Sequence, residues 1–155
     1  MVSPLEITQN LTDNNRPVFS ISVAADMIGV SVHTLRMYEA EGLVFPHRTA
    51  SSRRLYSHND INRVRCVRIM LDEQGLNIAG IKAMMSLAPC WDIKNCSRED
   101  RMSCTAYTDT VEPCWLVENK PHFCSEEECR ECKVFTELTL CGNMKLFLKR
   151  NWNRV

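Results

Sequence analysis

The feature that most constrains the fold is the distribution of cysteine along the chain. Eight of the nine cysteines lie from Cys90 onward in a sequence of 155 residues. A segment this rich in cysteine has little apolar surface to bury, so bonds to an inorganic ligand are expected to supply much of its stability. The N-terminus lacks the pattern of a secretory signal, so we expect a cytoplasmic protein. In that reducing compartment clustered thiols more often bind metals or act in redox chemistry than form disulfides.

The composition changes at Leu87-Ala88-Pro89. The chain carries 19 basic and 19 acidic residues, yet residues 16–88 have nine basic and six acidic side chains, and the remainder is slightly acidic. A basic first half is consistent with binding to nucleic acid. No apolar run approaches the ~18 residues that a membrane span needs, so no membrane partner is expected. We therefore expect a leader (1–17), a first domain (18–88), a cysteine-rich module (89–133) and a C-terminal helix (134–155).

The first domain begins with the pattern of two short helices joined by a tight turn. Ser22 is placed to cap a first helix that ends at Gly29, and Ser31 is placed to cap a second helix that ends near Gly42. Two short helices linked through a glycine-containing turn form a helix-turn-helix. A small all-α domain for protein interaction is the alternative, since such corners are common in helical proteins.

The remainder of the first domain predicts a wing and two further helices. Residues 43–56 lack helical periodicity and contain three arginines, which indicates a hairpin or wing. Ser57 and Asp60 together start a third helix, and Asn77 caps a fourth. Cys66, within the third helix, is expected to be a buried core thiol.

The charged and polar side chains of this domain fall on the two segments that a winged helix presents to DNA. The start of the second helix offers small polar groups to base edges in the major groove, and the residues that follow are spaced for phosphates. The wing offers its arginines and a tyrosine to the backbone or minor groove. A solvated surface is the alternative for the arginines. The predicted DNA-binding residues are Ser31, Val32, His33, Thr34, Arg36, Tyr38, Arg53, Arg54 and Tyr56.

Several motifs of residues 19–88 occur in one order and spacing. They are Thr34-Leu35-Arg36-x-Tyr38-Glu39, Gly42-Leu43, Arg54-x-Tyr56-Ser57 and Asp60-Ile61. Through these motifs the segment resembles the DNA-binding domain of the MerR family of transcription regulators. Short strings such as NIAGI are similar to the heat-shock-repressor branch of that family. The resemblance implies a mainly α fold with a winged helix-turn-helix, a homodimer on a palindromic double-stranded DNA operator, and RNA polymerase or a chaperone as further partners.

The sequence departs from that family at two places. The glycine that usually precedes the wing's Arg-x-Tyr is replaced by Ser51-Ser52-Arg53, which predicts a different wing tip. Pro89 and Cys90 stand where many members begin a long dimerisation helix, so the dimer element is expected to lie elsewhere or to be absent. The apolar stripe from Val134 to Trp152 either covers the cysteine module or pairs with a second copy.

The cysteine-rich module contains two related motifs, Pro89-Cys90-Trp91 and Pro113-Cys114-Trp115, and ends in Cys129-x-x-Cys132. A CxxC pair directs two sulfurs to one metal, and the additional cysteines strengthen that interpretation. The motifs resemble the two-CW domain, a small module appended to bacterial signalling proteins. The predicted ligands are Cys90, Cys96, Cys104, Cys114, Cys124, Cys129 and Cys132.

The spacing of the cysteines leaves the ligand open. Thiolates suit tetrahedral zinc or an iron–sulfur cluster, and the near absence of histidine from the module favours a site made of thiolates alone. We favour the cluster slightly over zinc, and thiols that act as a redox or soft-metal sensor are a further alternative. The predicted function is a DNA-binding transcription regulator that senses redox or metal status. One alternative has a structural zinc and a chaperone as its controlling partner. An enzyme or electron carrier is disfavoured, because the sequence contains no nucleophile–base pair, phosphate loop or HExxH motif.

Overall fold

The computed structural model describes residues 13–108, 111–121, 123–124, 126–138 and 144–152. The chain is mainly helical, as the sequence predicts, and forms two compact units that divide between Arg65 and Cys66. Most of the expected leader and Cys141 lie outside the described residues. In the described part of the chain no helix is long and apolar enough to cross a membrane.

The first unit combines short helices with a small antiparallel sheet of order β1-β3-β2. Strand β1 was not predicted from the sequence; it pairs Phe19 with Tyr56 and Ser20 with Leu55. The β2–β3 hairpin, in which Arg48 faces Arg54, is the predicted wing. The elements are β1 (Phe19–Ser20), α1 (Ile21–Ile28), α2 (Val32–Ala40), β2 (His47–Arg48), β3 (Arg54–Tyr56) and α3 (His58–Asp72), the last of which continues into the second unit.

Local capping interactions set the ends of helices α1 and α2. The hydroxyl of Ser20 accepts a hydrogen bond from the Val23 amide at 3.4 Å, so the cap is Ser20 and the prediction of Ser22 is wrong. The helix starts earlier because β1 already holds Ser20 in an extended conformation. Gly29 ends α1 with φ 82°, a left-handed conformation that glycine adopts without strain. Ser31 caps α2 as predicted, accepting from the Thr34 amide at 3.0 Å.

Helix α3 begins with a buried capping box. The Ser57 hydroxyl accepts from the Asp60 amide at 3.1 Å, while the Asp60 carboxylate accepts from the Ser57 amide at 2.8 Å. This reciprocal pair satisfies two amides that the helix itself cannot, and it confirms the predicted start. Around it lies the core of the first unit, formed by Ala24, Ala25, Leu35, Tyr38, Leu43, Val44, Tyr56, Ile61 and Val64.

The second unit is built from short helices. Helix α4 is capped as predicted, because the Asn77 side chain accepts from the Gly80 amide at 2.7 Å. Helices α6 and α7 contact each other, and α9 contacts both α5 and α8. The elements are α4 (Ile78–Met85), α5 (Cys90–Ile93), α6 (Arg98–Ser103), α7 (Thr105–Thr108), a 3₁₀ turn (Cys114–Leu116), α8 (Glu126–Glu131), α9 (Lys133–Glu137) and α10 (Met144–Trp152).

Two expectations about this unit are wrong. The predicted C-terminal helix is not continuous, because α9 ends at Leu138, whose backbone (φ −73°, ψ 83°) leaves the helical region before α10 begins. Cys66 is half-buried and disulfide-bonded, and it is not the plain core thiol that its helical position suggested.

Candidate DNA interface and thiol cavity

The first turn of α2 presents part of the predicted base-reading group. Ser31 and His33 are exposed, whereas Val32 and Thr34 are half-buried. The Thr34 hydroxyl lies 2.9 Å from that of Ser31, so these two groups already share a hydrogen bond. The extended backbone at Ser31 and its capping bond fix the direction of this turn. His33 is therefore the exposed imidazole at the start of the helix, where a base edge could be contacted.

Two predicted contacts are accessible along the rest of the helix and wing. Arg36 on α2 and Arg53 at the wing are both exposed. Met37, next to Arg36, is 38% exposed, an apolar side chain on this surface that the sequence reasoning did not single out. Long cationic side chains on exposed surfaces can reach phosphates without a loss of packing.

Tyr38 and Tyr56, both predicted to contact DNA, are core residues instead. Tyr38 is 2% exposed and Tyr56 is fully buried. A buried side chain cannot touch a phosphate, so we remove both tyrosines from the set of candidate contacts. Burial raises the pKa of Tyr56, which keeps its phenol neutral.

Glu39 joins the second helix to the wing, a role that the sequence reasoning missed. One carboxylate oxygen accepts from Nη2 of Arg48 at 2.6 Å, and the other accepts from Nε of Arg54 at 2.6 Å. Glu39 is only 14% exposed, so water competes weakly for these bonds. The hydrogen bond to Glu39 raises the pKa of Arg54. Arg54 is thus held in place by the helix whether or not it also meets a phosphate.

The wing tip is a tight turn in which a serine takes a conformation suited to glycine. Ser52 has φ 61°, and its amide donates to the Thr49 carbonyl at 2.8 Å. The Thr49 hydroxyl accepts from the Arg53 amide at 3.1 Å and lies 3.0 Å from the Ser51 hydroxyl. Threonine and serine hydroxyls therefore hold the turn, and a wing tip that differs in shape from that of the family stays a prediction.

In the second unit, all seven predicted ligands line one cavity. The cavity is small and partly open to solvent, with about 40 Å³ available to the centre of a water-sized sphere. Its cysteines carry thiols that are not joined as disulfides. In residues 13–152, apart from the undescribed gaps, no three Cys, His, Asp or Glu side chains converge as they would around a single metal ion. The thiols that surround the cavity are Cys90, Cys96, Cys104, Cys114, Cys124, Cys129 and Cys132.

The two Cys-Trp motifs meet at the cavity. A hydrogen bond between Cys90 and Cys114 lowers the pKa of the Cys90 thiol and raises that of Cys114. Burial raises the pKa of Cys124 to about 11, and the positive charge of Lys94 opposes the rise. The thiols therefore differ strongly in acidity within one cavity.

Cations and aromatic rings complete the wall of the cavity. Lys94, Arg101 and Lys120 line it, and Arg101 is fixed by bonds to the Cys96 carbonyl at 3.1 Å and to Asp92 at 3.3 Å. Trp91 packs edge-to-face on Tyr107, with ring centroids 5.1 Å apart. The Lys120 ammonium donates to the Trp115 carbonyl at 3.5 Å, so Arg101 and Lys120 are both bonded to groups of the protein.

Comparison with known proteins concerns the first part of the chain. Residues 19–88 match the family described as MerR HTH family regulatory protein. Residues 19–88 are a MerR-family helix-turn-helix domain. The resemblance inferred from the TLRMYE and RRLYS motifs is confirmed, and the MerR-family domain contains both the helix-turn-helix and the wing.

The relatives that match the MerR-family domain include a heat shock protein and several transcriptional regulators. The chain is 42% identical over 85 residues to the heat shock protein HspR of Streptomyces coelicolor, covering 55% of this chain and 53% of HspR. It is 42% identical over 69 residues to the transcriptional regulator GlnR of Bacillus cereus, covering 44% of this chain and 53% of GlnR. It is 39% identical over 69 residues to the transcriptional regulator HmrR of Sinorhizobium medicae, covering 44% of this chain and 46% of HmrR. The chain spans about half the length of the curated relatives it matches.

Proposed function

We propose that the protein is a sequence-specific DNA-binding transcription regulator whose thiol cavity holds an inorganic centre and responds to redox or metal status. It binds a palindromic operator as a homodimer and acts in the cytoplasm without being an enzyme. The observation that carries the proposal is the pairing of a MerR-family domain with a second unit in which seven thiols line one cavity.

The exposed side chains of the first unit support the DNA-binding half of the proposal. Ser31 and His33 lie at the start of α2, where a helix inserted in the major groove meets base edges. Arg36 and Arg53 are exposed and supply charges for phosphates. The Glu39 bonds to the wing keep these two contact segments at a fixed distance, so that they can engage one stretch of duplex together.

The thiol cavity supports the sensing half. Thiolates are ligands for soft metals and for iron–sulfur clusters, and the loss of such a ligand changes the stability of the fold that it holds together. The cavity is lined from several short helices, so its ligand would determine how those helices pack. Two DNA-binding domains in a dimer must match the spacing of two half-sites, and each misplaced base contact loses ~1–3 kcal/mol of discrimination.

The test of DNA recognition is a selection from random double-stranded oligonucleotides with the full-length chain. We expect enrichment of an inverted repeat, together with a dimer in sedimentation analysis of the complex. His33→Ala should relax preference at individual base positions, and Arg36→Ala should weaken binding to every sequence. Failure to enrich any sequence, with and without the inorganic centre, would overturn the proposal.

The test of sensing compares the affinity for the selected operator before and after removal of the inorganic centre. Anaerobic purification with metal and sulfide analysis defines the loaded state, and chelation or oxidation gives the unloaded state. We expect the dissociation constants of the two states to differ by at least about tenfold, which is ~1.4 kcal/mol. Equal affinities would instead indicate a structural centre and a signal from another partner, such as a chaperone.

A further inference from the structure

We infer that Met37 is a specificity-determining residue of the DNA interface, whose side chain contacts the C5-methyl group of a thymine in the major groove. This inference rests on the proposed function, which directs the start of α2 into that groove and assigns no role to Met37. It adds an apolar, base-selective contact to an interface otherwise made of polar and charged side chains.

The exposed residues of α2 and its cap lie on one face of the helix. Leu35 and Tyr38, three positions apart, are buried and define the face that packs on the core. Met37 is exposed and lies four residues after His33, the exposed imidazole at the start of the helix. Residues at this spacing are neighbours on a helix surface, one turn apart. The exposed positions are Ser31, His33, Arg36, Met37 and Ala40.

The backbone holds Met37 in a fixed direction. Its carbonyl accepts a hydrogen bond from the Glu41 amide at 2.9 Å, which closes the last turn of α2. Tyr38, the next residue, is buried, so α2 cannot rotate about its axis to cover Met37. A helix that brings His33 to a base edge therefore carries Met37 along the same groove. Four residues of helix rise by ~6 Å, so the two side chains reach bases within about three base pairs of each other.

The thymine methyl group is the part of the major groove that an apolar side chain can select. The edges of guanine, cytosine and adenine present hydrogen-bond donors and acceptors, whereas thymine adds a C5-methyl group to its acceptor. A thioether is only a weak acceptor, so its contact with a polar edge would displace water without replacing the lost hydrogen bonds. Contact with the methyl group instead covers apolar surface on both partners. Methionine at position 37 therefore favours thymine over the other three bases.

The surroundings of Met37 favour DNA over a protein partner. In α2, all of whose residues the structure describes, Met37 is the one large apolar side chain among the exposed residues. Surfaces that bind proteins usually present contiguous apolar patches. The exposed neighbours of Met37 are His33 and Arg36, an imidazole and a cation suited to bases and phosphates. An isolated apolar side chain between such residues fits a groove that is polar except for its methyl groups.

The first test removes the methyl group and leaves the protein unchanged. In the operator selected by the full-length chain, each thymine of the half-site is replaced in turn by deoxyuridine, which lacks only the C5-methyl group. Each replacement is made in both half-sites, and fluorescence anisotropy measures the dissociation constant. At one thymine, within about three base pairs of the position that His33→Ala affects, we expect binding to weaken by about tenfold, because a dimer loses two methyl contacts.

The second test connects that methyl group to Met37. Met37→Ala should weaken binding to the thymine operator by a similar factor and should lose nothing further on the deoxyuridine operator, since the side chain that covered the methyl group is gone. Met37→Leu should keep the preference for thymine, because leucine is also apolar and of similar volume. Met27→Ala is the matched control: it removes a methionine of similar exposure from α1 and should keep the full effect of deoxyuridine.

The outcomes separate this inference from the proposed function. An operator with no methyl-sensitive thymine, or an equal effect of deoxyuridine on wild type and Met37→Ala, would refute the role of Met37 and leave the proposed function standing. Wild-type affinity of Met37→Ala for every operator would also refute it and leave Met37 for contact with a protein. A chain that selects no operator would overturn the proposed function, and this inference with it. The deoxyuridine series needs no protein variant, so it tests the contact whether or not Met37→Ala folds.

Discussion

Glu39 and Arg54 lie fifteen residues apart in the chain and are joined by a hydrogen bond of 2.6 Å between Oε2 and Nε. The second oxygen of Glu39 holds Arg48 at the same distance, so one carboxylate connects α2 to both strands of the wing. The contact surfaces for a major groove and for the neighbouring backbone are therefore linked by a single acidic side chain.

Replacing Glu39 with glutamine should loosen the wing. The neutral amide cannot form two charge-assisted bonds, so we expect the free energy of unfolding to fall by about 1 kcal/mol and the amides of residues 47–56 to exchange faster. Hydrogen exchange followed by mass spectrometry measures the second effect. Glu73→Gln removes an equal charge at an exposed position outside the wing and serves as the control. Unchanged exchange in the wing of Glu39→Gln would show that the link is not structural.

The exposed arginines should determine the salt dependence of DNA binding. Arg36→Ala and Arg53→Ala are each expected to lower the slope of log K against log salt concentration by about 1, because one phosphate contact is lost. Titrations at several salt concentrations, followed by fluorescence anisotropy, measure the slope. Arg98→Ala removes an exposed arginine of the second unit and should leave it unchanged. An unaltered slope in both wing and helix variants would remove these arginines from the interface.

Ser52→Gly should stabilise the protein. Ser52 has φ 61°, which is strained for a residue with a Cβ, so glycine should raise the free energy of unfolding by about 1 kcal/mol. Chemical denaturation monitored by circular dichroism measures this change. Ser51→Gly is the control: it adds chain entropy to the unfolded state and removes the hydroxyl contact with Thr49. It is expected to destabilise, and a gain of stability in both variants would argue against relief of strain.

The reactivity of Cys124 in the unloaded chain should depend steeply on pH. Burial raises its pKa to about 11, so at pH 8 the side chain is mostly the unreactive thiol, and alkylation should accelerate until the pH approaches 11. Lys94→Gln should slow the reaction further at pH 8, because it removes a charge that favours the thiolate. Mass spectrometry of iodoacetamide-treated protein measures the rate at Cys124. A rate equal to that of the urea-unfolded chain at pH 8 would contradict the shift.

Features that depend on neighbouring residues in the chain could be predicted from the sequence. Ser31, Ser57 and Asn77 cap their helices because a side-chain oxygen and the amide three residues later are already close in the chain. Ser22 is not the cap because β1 pairs with β3, a contact between distant segments of the chain. This pairing holds Ser20 in an extended conformation, so the helix begins directly after Ser20. The family of the first domain was also evident, since its motifs are contiguous strings.

The predicted DNA contacts differ more from the structure than the predicted helix caps do, because they depend on which side chains are buried. Tyrosine is a residue type that often contacts DNA, but the packing of helices and sheet in the first unit buries Tyr38 and Tyr56. Glu39 was overlooked because its partners, Arg48 and Arg54, approach it only after the hairpin folds back toward α2. Charge patterns along a sequence do not show which arginines are already paired.

The sequence by itself determined the helix-turn-helix, the arginine-bearing wing and the presence of a thiol-rich module, because each is encoded by residues close together in the chain. Only the tertiary structure decided that seven cysteines, from Cys90 to Cys132, share one cavity and that Cys90 meets Cys114 within it. Spacing fixes how near two sulfurs can come across a turn, as in Cys129-x-x-Cys132. The meeting of sulfurs from separate motifs depends on how α5, the 3₁₀ turn and α9 pack, and this is set by long-range burial of residues such as Trp115 and Phe135.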